Sequence, residues 1–136
     1  MAKLSTLKQD HAAITEGEWI RVGDEYDDLE ILTRGITDLY LDAQAAKQRR
    51  AAVGFGGDVD RLPVAIRRKI NVDCLIAHVV LDVRNLTDDA GQPINFTQFK
   101  ELLHDRDYTP LVSACFLAAS QVGRRTAADL EEASGN

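Results

Sequence analysis

Cys74, His78 and Asp82, each four residues from the next, are the strongest metal-ligand arrangement in the chain. On a helix they would share one face and offer donors of the kinds zinc accepts. A zinc site usually needs a fourth protein ligand or an open water position. Here the neighbours are Ile76, Val79 and Val80, and no second Cys or His pair lies nearby. The expected roles are a core cysteine and a histidine that pairs with Asp82 or faces water. His104, Asp105 and Asp107 place a possible general base beside carboxylates, but no Ser or Cys nucleophile adjoins them. Gly54, Gly56 and Gly57 lack the Gly-Lys-Ser/Thr ending of a phosphate loop and the spacing of a dinucleotide loop. The TDDAG run at 87–91 lacks the spaced oxygens and closing Glu of a calcium loop. Asp27 and Asp28 sit in a run, GDEYDD, that belongs in water. The sequence therefore predicts no catalytic residue, no cofactor and no metal.

The bulk composition narrows the remaining classes. With 45% hydrophobic and 28% charged residues over 136 positions, the chain is expected to fold as one domain. The net charge of -6 argues against a general nucleic-acid binder, which needs a positive surface. Lys47, Arg49, Arg50, Arg61, Arg67, Arg68 and Lys69 form a basic stretch, but only Phe55 supplies a nearby aromatic for stacking. Charge is unevenly spread: four basic against ten acidic residues in 1–46, eight against four in 47–85, and four against eight in 86–136. Complementary patches of this kind can direct a protein onto a partner or onto copies of itself. The N-terminus has no apolar run of signal-peptide type, and the apolar stretch 72–83 is shorter than the roughly 20 residues a bilayer span needs. The expected compartment is the cytoplasm, with Cys74 and Cys115 as small buried hydrophobes. What remains is a protein whose work is binding another protein.

The elements that would position these residues follow from pattern. Ser5 could cap a short helix to about Ala13. Trp19, Ile20 and Val22, then Leu29, Ile31 and Leu32, predict two strands at 18–22 and 29–34 around an acidic turn. Trp19 is expected to anchor this hairpin to the helical body, because a lone two-stranded hairpin is marginal. Ile36, Leu39, Tyr40, Ala43 and Ala46 predict a helix from 36 to about 52, stopped by the glycines at 54–57. A long helix is expected from about Arg61 to Val83, capped by Asp60, with Pro63 in its first turn. From residue 72 it is apolar on nearly its whole circumference, which suggests self-association through this surface, with Val79 or Val80 outward. Asn95 and Gln98 form a capping-box signal for a helix to about Leu103, and Thr109–Pro110 begins a last helix.

Two segments carry a resemblance. GEWIRVGDEYDDLEILTRGITDLY (17–40) and VLDVRNLTDDAGQPINFT (80–97), the latter followed by a helix and a Pro-started final helix, are similar to the tail assembly chaperones of long-tailed bacteriophages and prophages. Gly17, Trp19, Gly91 and Pro93 match motif positions, while Arg84 stands where the pattern often has tryptophan. The resemblance implies a non-enzymatic protein of the host cell cytoplasm. It would bind the tape measure protein and help recruit tail tube subunits. The alternative from another class is a structural virion component, such as a head–tail connector or tail terminator.

The expected architecture is a mainly helical, small α+β domain with about four helices and an N-terminal β-hairpin. It comprises a weakly ordered segment 1–17, one domain over 18–123, and a charged, fraying tail over 124–136. Trp19, Phe55, Val79, Val80, Gly91 and Pro93 are the candidate structural or interface residues.

Overall fold

The expected hairpin forms as β1 (Glu18–Arg21) and β2 (Glu30–Thr33), antiparallel, with Trp19 opposite Leu32 and Ile20 opposite Ile31. The computed structural model describes residues 1–124. Between the strands the acidic run makes a short 3-10 turn at Asp24–Tyr26, and Asp27 adopts a left-handed φ of 53°. The hairpin does not stand alone. A third strand, β3 (Val80–Arg84), pairs antiparallel with β2 and gives the sheet order β1-β2-β3.

That strand corrects the long helix expected over 61–83. Residues 59–61 form a separate 3-10 turn, capped by Asp58 rather than Asp60. Pro63 then precedes the helix instead of lying within it. The helix proper, here α3, spans Val64–His78 and ends where its last turn meets a β-branched run. Val79, Val80 and Val83 lose rotamer freedom in a helix and suit a pleated strand. The all-round apolar pattern after residue 72 is thus two elements of different period, placed end to end. Val79 and Val80 are almost fully buried in this chain, so neither faces outward to offer a contact surface.

Between hairpin and α3 runs α2 (Asp38–Ala52), capped by the Thr37 hydroxyl and followed by a 3-10 turn at Val53–Phe55. It lies against α3, where the Gln44 amide donates to Asn71 Oδ1. Only Tyr40 and Ala52 of α2 are buried, which explains its weak apolar stripe. Downstream, α4 (Phe96–Leu103) starts on the expected capping box: Gln98 N donates to Asn95 Oδ1 at 2.8 Å, and Asn95 N to Gln98 Oε1 at 2.9 Å. In α5 (Thr109–Gln121) Pro110 lies in the first turn as expected. Thr109 is already helical, however, and its hydroxyl donates back to Arg106 O rather than capping.

The N-terminal segment is more structured than its composition suggests. The expected Ser5-capped helix is replaced by a 3-10 turn at Leu4–Leu7 and by α1 (His11–Glu16). Asp10 caps α1 by accepting from Ala12 N and Ala13 N, and Asp10 N donates to Gly123 O at 2.9 Å. Gln9 and Arg124 form an isolated bridge, so the body begins near residue 9 rather than 18. The expected tail, apart from Arg124, lies outside the described residues.

The architecture is therefore a small α+β domain with five α-helices and a three-stranded antiparallel sheet among the described residues. Its core sits on one face of the sheet. Ile31, Thr33, Val80 and Val83 meet α3 through Cys74 and Leu75, α4 through Phe99 and Leu103, and α5 through Ala114, Cys115 and Ala118. The small residues of α5 let it approach β1 and β2 closely. Thr33 is the only buried polar residue among those described, and its hydroxyl donates to Arg34 O at 2.8 Å, so it carries no desolvation penalty.

Candidate functional site

Strand alternation leaves a second face of the sheet turned away from the helices. Register places Trp19, Leu32 and Asp82 in one row on that face, and Arg21, Glu30 and Arg84 in the next. The Arg84 guanidinium lies 4.1 Å from the Trp19 ring centroid and donates to Glu30 Oε2 at 2.8 Å. Asn85, at a left-handed φ of 62°, donates to Glu30 Oε1 at 3.3 Å and to Asp28 O at 3.0 Å. The result is a connected array of indole, guanidinium and carboxylate across all three strands. A cation over an exposed indole contributes about 0.5–1 kcal/mol, and an exposed ion pair at most about 1 kcal/mol. The array therefore orients an adaptable polar-aromatic surface more than it stabilises the fold.

Trp19 is half-buried and stands outside the hydrophobic core cluster. It does not anchor the hairpin to the helical body as expected; Ile20 and Ile31 do that from the opposite face. Gly17, two residues earlier, caps α1 at φ 95°. A Cβ there would sit 2.9 Å from Leu81 Cδ1 and 3.2 Å from Thr33 O, so only glycine fits where the two sequence segments meet.

The other sequence candidates take structural places. Gly91, at φ 82°, closes a turn in which Asp88 Oδ1 accepts from Ala90 N and Gln92 N, each at 2.9 Å. Pro93 then bridges to Thr87 and delivers the chain to the α4 cap. Phe55 is half-buried in the turn after α2. Cys74 is fully buried on α3, whereas Asp82 lies on β3 and accepts from Val83 N at 2.8 Å. The helical row of Cys74, His78 and Asp82 therefore does not form, because the helix ends at His78. Burial pushes the Cys115 thiol up to about 12 and raises that of Cys74, which Lys47 opposes and Asp73 reinforces. Both are neutral packing groups rather than nucleophiles.

One feature had no sequence signal. A groove of about 750 Å³ lies between the exposed side of α3, the end of α4 and the start of α5. His104 Nε2 approaches Asp73 Oδ1 at 3.5 Å across it, bringing together residues from separate helices. Asp105 accepts from Asp107 N at 2.9 Å and so caps the following turn. His104, Asp105 and Arg106 thus line a groove wall while remaining exposed.

Among the described residues no helix is long and apolar enough to cross a membrane. The chain matches no protein-family model, no curated protein and no solved structure.

Proposed function

We propose that this chain is a non-enzymatic tail assembly chaperone of a long-tailed bacteriophage or prophage, acting in the host cell cytoplasm. It binds the tape measure protein and helps recruit tail tube subunits. One observation carries the reading: the two segments of the resemblance, 17–40 and 80–97, are distant in sequence yet join in one sheet. Gly17 packs on Thr33 and Leu81, and Trp19 lies under Arg84, the residue standing where the family pattern often has tryptophan. Gly17, Trp19 and Arg84 thus meet at one sheet surface, while Gly91 and Pro93 shape the turn that follows β3. An aromatic held in a polar frame on an uncovered sheet face suits reversible protein binding, since interface energy concentrates on Trp and Arg.

Co-expression with the tape measure and tube proteins of the same tail operon tests this. The proposal expects a more soluble tape measure protein, co-purification with this chain, and no copy of the chain in finished tails. Stoichiometric retention in purified tails would replace it with the structural-component alternative. Failure to co-purify with the tape measure protein would remove both the client and the role.

A further inference from the structure

The groove beside α3 carries charge of its own. Arg68, Lys69 and Arg106 rim it, above a floor that includes Val72, Leu103 and Val112. None of these three cations belongs to an ion pair among the described residues. The same walls carry two carboxylates, Asp73 beside His104 and Asp105 accepting from Asp107 N. With three cations against two carboxylates, the groove carries an excess of positive charge over an apolar base, although the whole chain is acidic.

The opposite charge lies on the same chain, at the tip of the β1–β2 hairpin. Asp24, Glu25, Asp27 and Asp28 are all exposed there, and the Asp24 side chain is 98% exposed. Its ion pair to Arg21, at 3.0 Å, is also exposed and readily exchanged. The turn is presented firmly, because Tyr26 packs against the core and Asn85 holds Asp28 O.

We infer that the groove receives the acidic hairpin turn of a second copy of this chain. The match is one of charge, positive rim to negative turn, and the two surfaces lie on different parts of the molecule. Two copies related by a two-fold axis would exchange turns and fill both grooves, whereas any other rotation leaves a free groove and grows until a ring closes. This replaces the apolar helix surface that the sequence suggested for self-association with an electrostatic one. The inference is independent of the tape measure client, so loss of one leaves the other standing.

Sedimentation velocity on the purified chain tests it. At about 100 μM, where contacts weaker than micromolar are populated, the sedimentation coefficient should rise with concentration at low salt. It should return to the monomer value near 1 M salt, where the screening length is about 3 Å. Arg68→Glu with Lys69→Glu, and separately Glu25→Lys with Asp28→Lys, should each give a monomer at every salt concentration. Mixing the two double variants restores complementary pairs and should restore association, which a merely misfolded variant could not do. A strict monomer for the unaltered chain would overturn the inference and leave the groove to an acidic segment of another protein. Association that survives either reversal, or that is lost in both and not rescued by mixing, would overturn it as well.

Discussion

At the scale of single residues, Trp19 and Arg84 act as a pair. Trp19 is half-buried outside the core cluster, so Trp19→Ala should cost about 1–2 kcal/mol, below the 3–5 kcal/mol of a core aromatic. A double-mutant cycle with Arg84→Ala, read by urea unfolding, should return a coupling of about 0.5–1 kcal/mol. A coupling near zero would mean that the stacked geometry contributes nothing. Cys115 sets a different expectation. Burial pushes its thiol up to about 12 in the fold from an ordinary 9.0, so the unfolded chain loses its proton first. The stability this raised value contributes is complete below pH 9 and is lost as pH rises toward 12. For this group alone the slope is at most about 1.4 kcal/mol per pH unit. Cys115→Ala should flatten that alkaline decline in denaturation midpoints measured across the same range.

At the scale of elements, the α4 cap and the α3–β3 junction make opposite points. Asn95→Ala removes one half of a reciprocal box and should cost about 1 kcal/mol, with Gln98→Ala costing somewhat less, by thermal unfolding. That cap was legible because its hydrogen bonds are local and its spacing fixed. The same holds for the hairpin and for the presence of α2 and α5, although Ile36 and Leu39 of the expected apolar face prove exposed and Thr109 does not cap. The junction was not legible. An apolar run has the same composition in a buried helix and a buried strand, and the choice at Val79 was made by the end of β2 and the residue after it, Thr33 and Arg34, which meet it from far away in sequence. Trp19 was misplaced for a related reason. Alternation assigns it a face, but which face meets helices depends on α3, α4 and α5. The groove was beyond reach because Asp73 and His104 come together only through packing. Val80→Asp provides the check on the junction. A charge at a site only 2% exposed should abolish cooperative unfolding, whereas a surface valine would have tolerated it.

At the scale of the whole molecule, the sheet divides the labour. One face is spent on the core and the other is left for contact, while the groove and the acidic turn occupy separate parts of the surface. If the sheet face holds the client, Trp19→Ala should weaken capture of the tape measure protein at least tenfold while the hairpin still folds. Equilibrium pull-down at matched concentrations of folded protein reads this directly, and unchanged capture would move the client elsewhere. The sheet also has a consequence in time. The β1–β2 pairing is local, but Ile31 must wait for Val83, and the sheet's inner face must wait for α5 to cover it. Such non-local closure slows folding and leaves an apolar strand edge unguarded while the chain is still being made. A nascent chain paused before residue 109 has its sheet but no α5 to cover the core, so it should aggregate with itself. Synthesis of α5 is therefore the step at which the sheet's inner face ceases to be an aggregation hazard and becomes a sealed core.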